Sequence, residues 1–241
     1  MTNARRFFLK QIGLLGLASG IHSQVFAEDM RGSSKDSAFA FAVDPYLQNL
    51  QTNQVCIFAL VNKKAFIWLE LIDENGSVTK HYELVEGLRK KKKKMGSFRL
   101  QNLTANRKYR YRIHAKAIVS FEPYKVVYGE EIVSAEAQFS TLADNQDTVS
   151  CVILNDIHGN VDSYASLLGL VALQEQDFIV NNGDAVDYLG TAEDLEDKIL
   201  APMAQQLKGA VPFIMNRGNH ETRGAYAFHY NAYFDYPKGH N

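Results

Sequence analysis

Near residue 141 the hydrophobic pattern of this 241-residue chain changes period, and one layered fold cannot accommodate both patterns. From Phe39 to Thr141 the apolar residues form short runs or alternate with a period of two. Val55-Cys56-Ile57-Phe58-Ala59-Leu60-Val61 and Ala65 to Ile72 are such segments, followed by Phe98 to Leu103 and Lys108 to Ala115. Alternation of that kind puts every second side chain on one face of a strand. Asp73-Glu74-Asn75-Gly76-Ser77 interrupts it as a turn, with the Asn-Gly step expected to supply positive φ angles. Several short strands separated by turns predict a β-sandwich over 39–141. Beyond a polar stretch, Val149 to Leu154 reads as a buried strand and 161–174 as a helix. Phe178-Ile179-Val180 is a second strand, 193–207 a second helix and 211–215 a third strand. Strand and helix in alternation predict parallel strands joined by crossovers, so 148–241 is expected to be an α/β unit. The segment 224–236, rich in Tyr, Phe and His, is expected to be helical or an irregular cap.

The formal net charge of −1 and charged content of 22% give no long-range attraction for nucleic acid or an anionic membrane. The N-terminus has its own composition. Arg5-Arg6 precedes an apolar stretch from Ile12 to Ile21, and Val25-Phe26-Ala27 has the form of a cleavage site. That stretch is too short to span about 30 Å of hydrocarbon, so stable membrane insertion is not expected. The pattern resembles a bacterial twin-arginine export signal over 1–27, which implies the export machinery as a partner and a periplasmic or secreted destination. Its removal takes Arg5, Arg6 and Lys10 and no acid, leaving 23 basic against 27 acidic residues. Residues 28–38 read as a flexible tether. Cys56 and Cys151 both lie in apolar runs and are expected to be small core residues. The basic run Arg89 to Lys94 falls between predicted strands and reads as a solvated hairpin loop, while His81 and His114 are expected at surface or edge positions.

Three polar clusters follow the three strands of the second half: Asn155-Asp156-Ile157-His158-Gly159, Gly183-Asp184-Ala185-Val186-Asp187-Tyr188 and Arg217-Gly218-Asn219-His220-Glu221. Loops past the carboxyl ends of parallel strands converge on one rim, which is where catalytic groups collect. Asp156 and His158 are two residues apart, so a chain leaving its strand extended aims both at one ion. A carboxylate at Asp184, released by Gly183, can bridge two cations. Asn219 brings a neutral oxygen able to ligate a second metal. Two divalent ions about 3.5–4 Å apart lower the pKa of a water and neutralise phosphoryl charge, as phosphoester hydrolysis needs. A nearby imidazolium protonates the leaving oxygen, an effect typically of about 10²–10⁴ in rate.

The spacing of 28 residues from Asp156 to Asp184 and 35 from Asp184 to Asn219, in this order, resembles the calcineurin-like metallophosphoesterases. The run Gly218-Asn219-His220-Glu221-Thr222-Arg223-Gly224 is similar to their purple-acid-phosphatase-like branch. In the first half, Leu103 followed by Tyr109 resembles the tyrosine-corner segment of fibronectin type III domains. Asp44-Pro45-Tyr46-Leu47-Gln48-Asn49 looks like the opening of the fibronectin-like module that precedes such catalytic domains. The resemblance implies an exported, di-metal phosphatase or phosphodiesterase acting on small-molecule phosphoesters. Asp156 and His158 would ligate the first metal, Asp184 would bridge, Asn219 would ligate the second and His220 would be the general acid. Glu221 would orient His220 or its loop. Arg217 and Arg223 are candidates for gripping phosphate. The two ions, divalent or trivalent, would be Fe, Mn or Zn, which this mixed donor set does not distinguish. Asp187 stands where purple members carry tyrosine, and His158 where they carry glycine, which points away from the coloured ferric–tyrosinate centre. The family completes its site with further histidines, one alone and one Gly-His-x-His pair, and none of these is met by residue 241; His240 comes too early to serve. The second sheet of the family's four-layer α/β/β/α domain would also be missing, exposing an apolar face. The alternative expectation is therefore a non-catalytic fragment that keeps a fibronectin-like binding module.

Overall fold

A computed structural model of the chain describes residues 37–89 and 93–236. The export segment 1–27, residues 28–36 of the tether, Lys90 to Lys92 of the basic run and His240 lie outside the described residues. Residues from Phe39 onward form one compact unit.

Its first part is antiparallel. Strands β1 (Phe41–Gln48), β2 (Gln54–Ile72), β3 (Val78–Tyr82), β6 (Lys93–Gln101), β7 (Lys108–Glu122), β8 (Lys125–Val133) and β9 (Ala137–Ser140) form a seven-stranded hydrogen-bonded system. Two short strands, β4 (Leu84–Val85) and β5 (Leu88–Arg89), pair with each other beside it. The long β2 belongs to both layers of the sandwich. Its first half pairs with β1 and β6, and its second half, from Ala65, pairs with β3 and β7. The alternation in the sequence is realised as burial. Val55, Ile57, Ala59 and Val61 face Ile67, Leu69, Leu71, Tyr111 and Ile113 in one core. Tyr109 closes the layer, its hydroxyl accepting the Thr104 backbone N–H at 3.0 Å. That is the hydrogen bond that defines a tyrosine corner. At the 73–77 turn only Gly76 takes positive φ, whereas Asn75 does not. Asp73 replaces the expected Asn-Gly geometry, its carboxylate accepting the N–H groups of Asn75 and Ser77. His114 is not a free surface residue, since its ring stacks on Trp68 with centroids 4.9 Å apart.

The second part is a three-stranded parallel sheet, β10 (Cys151–Leu154), β11 (Phe178–Asn182) and β12 (Phe213–Asn216), in that order. Helix α1 (Val161–Leu168) stops at Gly169, short of the predicted 174, and a 3₁₀ turn follows at Leu173–Glu175. Leu170 explains the difference: its apolar side chain satisfies the helical spacing yet is 80% exposed, so no burial extends the helix. The predicted 193–207 helix is continuous but not uniform. It comprises α2 (Ala192–Leu195), a π turn (Glu196–Leu200) and α3 (Ala201–Leu207). Thr191 and Asp194 form a capping box at its start. The aromatic stretch Ala225–Tyr233 is 3₁₀ helix.

These helices cover one sheet face, where Ile179, Phe213 and Met215 meet Leu168, Ile199, Met203 and Leu207. The same cluster takes in Val43, Tyr46, Cys56, Phe58 and Leu60 from the sandwich. This is why Val55–Val61 is apolar without interruption: its odd-numbered residues fill the sandwich core and its even-numbered residues fill the joint. Tyr46 stacks on Phe58 at 5.3 Å and tilts against Phe213 at 5.4 Å. Its hydroxyl donates to the Tyr233 carbonyl at 2.9 Å, and the Tyr111 hydroxyl donates to the Gly209 carbonyl at 2.9 Å. Arg99 pairs with Asp235, which also accepts from the Asn49 amide. The opposite sheet face is only partly covered among the described residues: Ile153 is 60% and Ile214 40% exposed, while Phe178 and Val180 are half-buried. Cys151 lies on this face as well, which corrects the expectation of a core residue; Cys56 is buried, and both thiols are free. Burial pushes the Cys56 thiol up to about 12, so it stays protonated and inert. No helix among the described residues is long and apolar enough to cross a membrane.

Candidate metal centre

All three polar clusters lie just past the carboxyl ends of β10, β11 and β12, so the parallel register brings them to one rim. Asp156, His158 and Asp184 each present a donor atom there, and the three atoms lie within 4.8 Å of one another. His158 Nε2 stands 3.6 Å from Asp156 Oδ1. A carboxylate, an imidazole and a second carboxylate at this separation suit a first-row divalent cation.

The chain does not leave β10 extended, as the Asp-x-His spacing suggested. Asp156 and His158 both take left-handed backbone, with φ of 55° and 52°, and the buried Ile157 separates them. Asp184 does the same at 53°. Left-handed backbone in residues other than glycine is strained by about 1–3 kcal/mol each and persists where surroundings over-determine it. Here the surroundings are backbone hydrogen bonds between loops. Asp156 N–H donates to the Gly183 carbonyl at 3.3 Å, His158 N–H to Asp184 at 3.0 Å and Gly159 N–H to Ala185 at 2.8 Å. Three rungs thus continue the β10–β11 pairing past the end of the strands and turn both side chains of the Asp-x-His pair toward Asp184.

Asp187 gives the histidines their orientation. Its carboxylate lies 2.7 Å from His158 Nδ1, which frees Nε2 for the side of Asp156. An imidazole whose second nitrogen is held by a carboxylate has a fixed tautomer and ring angle. That hydrogen bond holds the His158 pKa above the usual imidazole value, with the charges of Asp187, Asp156 and Asp184 adding to it against some desolvation. His220 Nδ1 lies 3.0 Å from the Asp187 carbonyl. A carbonyl only accepts, so the tautomer with its proton on Nδ1 donates to Asp187 and leaves Nε2 for chemistry. The two imidazoles meet edge to face at 4.7 Å. His158, Asp187 and His220 therefore form a second donor group, but both Nδ1 atoms are already directed at Asp187.

The Asn219 amide sits between Asp184 and Arg223 and has two possible faces. With its nitrogen toward Asp184 it donates to that carboxylate at 3.1 Å, while its oxygen accepts from Arg223 Nη2 at 2.8 Å. Turned by half a revolution, its oxygen faces the Asp184 carboxylate, and two opposed acceptors are favourable only around a cation. Arg223 also approaches His220, with Nη1 3.3 Å from Nδ1. Arg217, the other candidate phosphate ligand, is engaged elsewhere. Its guanidinium donates to the Ala227 carbonyl at 3.1 Å and to Asn231 Oδ1 at 3.2 Å, and it covers the Tyr230 ring at 4.5 Å.

Glu221 is expected from the sequence to orient His220 or its loop, but its partners are not legible there: it is fully buried, and its carboxylate accepts backbone N–H groups from both the 184–186 loop and Gly218. The two loops also touch through glycines: a Cβ on Gly183 would lie 2.9 Å from Gly218 Cα. Gly183-Asp184 and Gly218-Asn219 are visible as dipeptides, but nothing in the chain announces that the glycines meet.

Residues 150–241 match the family model for calcineurin-like phosphoesterase, and the rim described above lies within that segment. Among solved structures the chain is similar to a purple acid phosphatase isolated from yellow lupin (Lupinus luteus) seeds. The TM-score is 0.58 with 16% identity, over 83% of this chain and 42% of that one. It is also similar to PhoD, with a TM-score of 0.50 and 14% identity, over 84% of this chain and 43% of that one. At these identities the likeness is one of fold. The chain spans less than half the length of either structure. No curated protein matches it in sequence.

Proposed function

We propose that this chain carries the metal-binding rim of a phosphoester hydrolase acting on small-molecule phosphomonoesters or diesters. The observation that carries the reading is the convergence of Asp156, His158 and Asp184 donor atoms within 4.8 Å at the strand ends of a calcineurin-like phosphoesterase domain. Asp156 and His158 would hold a first divalent ion, and Asp184 would reach both that ion and a second one held with Asn219. When bound, such ions supply Lewis acidity, drawing the pKa of a water toward neutrality and withdrawing charge from the phosphoryl oxygens. The protein's own groups do the rest. Asp187 keeps His158 in the tautomer that offers Nε2. The Asp187 carbonyl fixes the Nδ1 proton of His220, so that the imidazolium presents Nε2–H to a leaving oxygen. Arg223, beside Asn219 and His220, would pair with a phosphoryl oxygen; Arg217 instead holds the 225–233 segment against the rim.

The test is direct. The 28–241 chain, supplied with Mn²⁺, Zn²⁺ or Fe²⁺, should hydrolyse p-nitrophenyl phosphate or its bis ester, and His220→Ala should lower kcat by about 10²–10⁴. Hydrolysis that is unchanged by His220→Ala rejects the general acid. No hydrolysis with any of the three metals favours the reading as a non-catalytic fragment. Export through the twin-arginine route is part of the same proposal, supported by Arg5-Arg6 ahead of the apolar Ile12–Ile21 stretch. A reporter fused to residues 1–30 that stays in the cytoplasm would reject it.

A further inference from the structure

Glu221 follows the proposed general acid in sequence but points the other way, into the protein, where it has no exposed surface. A buried carboxylate is normally neutralised by a cation or by an equivalent set of donors. No salt bridge to Glu221 is found among the described residues; backbone N–H groups surround it instead. Oε1 accepts from Ala185 N at 2.6 Å and Val186 N at 3.2 Å. Oε2 accepts from Asp184 N at 3.1 Å and Gly218 N at 2.8 Å. Three of these donors belong to the loop after β11 and the fourth to the loop after β12. The carboxylate therefore bonds the backbone of the residue proposed to bridge two ions, and also a backbone N–H next to the residue proposed to hold the second.

The surroundings leave no slack for another arrangement. A Cβ at Gly218 would fall inside contact distance of Asp184 Oδ1, and 2.9 Å from Glu221 Oε2. Asp184 has left-handed backbone, and its own Oδ1 accepts the His220 N–H at 3.1 Å. One carboxylate thus goes from the second loop to the first and another returns from the first to the second, with Gly183 and Gly218 in contact between them. Four donors converging on one anion also explain how a strained Asp184 backbone is retained beside a bare rim of like charge.

We propose that Glu221 is a positioning residue for the metal centre, a buried anion that fixes the separation between the Asp184 carboxylate and the Asn219 amide. It acts through backbone N–H groups and touches neither metal nor substrate. The inference rests on the reading of the rim as a metal site. Its chemistry predicts a specific asymmetry. Asp156 and His158 are held by the β10–β11 rungs, which Glu221 does not make, and only the shared Asp184 ties a first ion to it, so that ion should be the less affected. A second ion, which needs Asp184 and Asn219 in register, should depend on it.

The experiment measures Mn²⁺ binding to the full chain by calorimetry and by the loss of the free-ion electron paramagnetic resonance signal. Wild type, Glu221→Gln and Met203→Ala are compared at a temperature where near-ultraviolet circular dichroism shows each to be folded. Glutamine keeps the shape but replaces one acceptor oxygen with a donor that opposes backbone N–H groups. Met203→Ala makes a cavity in the helix core, far from these hydrogen bonds in sequence, and controls for lost stability. The expected result is weakening of the second Mn²⁺ by about 10–100-fold in Glu221→Gln, with the first Mn²⁺ weakened clearly less and Met203→Ala like wild type. Equal second-site affinity in wild type and Glu221→Gln overturns the inference and leaves the proposed function standing. Equal weakening in Glu221→Gln and Met203→Ala reduces Glu221 to a stability role and also overturns it. A wild-type chain that binds no Mn²⁺ overturns the metal-site reading itself, and the inference with it.

Discussion

His158 is exposed, yet its ring is held from both sides, because Asp187 takes its Nδ1 at 2.7 Å and Asp156 faces its Nε2. The hydrogen bond from Asp187 raises its pKa, so the sign of its effect on stability follows. A group whose folded pKa lies above the unfolded one stabilises the fold below the unfolded value, and the contribution disappears as pH rises through the folded value. In the presence of a chelator the protein should therefore lose part of its thermal stability between about pH 6 and the raised pKa. Asp187→Asn should flatten that part of the profile. The measurement is Tm against pH in EDTA by circular dichroism. A profile of the same shape for wild type and Asp187→Asn would show that this pair does not set it. Metal affinity should run the opposite way, rising with pH, because an ion competes with the proton for Nε2.

At the scale of elements, the donors owe their convergence to loops more than to strands. The sequence places each cluster after a strand, and the parallel sheet brings the three strand ends to one rim. What aims the side chains is the left-handed backbone at Asp156, His158 and Asp184, held by hydrogen bonds between loops that are far apart in the chain. Spacing alone suggested an extended exit from β10, because a period of two is the simplest way to put two residues on one side. The strained alternative was illegible for a physical reason: its supporting partners, Gly183, Asp184 and Ala185, belong to another loop. The helical elements show the same limit. Apolar spacing from Glu193 to Leu207 located the second helix, but the π turn at Glu196–Leu200 leaves no mark that a period of 3.6 detects. Leu170 and Val171 extended the apparent period of α1 past Gly169, although Leu170 is 80% exposed among the described residues.

For the whole molecule, the joint between sandwich and α/β part is a shared core. Tyr46, Phe58 and Phe213 stack across it, and Tyr46 and Tyr111 donate to carbonyls on the far side. Truncating an aromatic in such a core typically destabilises by about 3–5 kcal/mol. A domain joint of this kind predicts coupled unfolding. Trp68 is the one tryptophan of the chain and lies in the sandwich, so its fluorescence follows that part, while ellipticity at 222 nm follows the helices. The two signals should change at the same denaturant concentration. Phe213→Ala should shift both together to a lower one, although it removes a side chain from β12 alone. Separated transitions would mean that the shared cluster does not couple the two parts.

The sequence by itself determined that the chain has an alternating-strand part followed by a strand–helix part. It also placed Asp156, His158, Asp184, Asn219 and His220 after strands, since hydrophobic period and polar strand endings are local properties. Tertiary structure decided what those residues face. It showed that Asp187 holds His158, that Arg217 is committed to Tyr230 and Asn231 while Arg223 stands beside Asn219, and that Glu221 bonds two loops from a fully buried position. It also decided that Val55–Val61 is apolar throughout because two cores claim its two faces. Each of these depends on groups brought together from distant parts of the chain, and a one-dimensional pattern holds no record of which distant group will arrive.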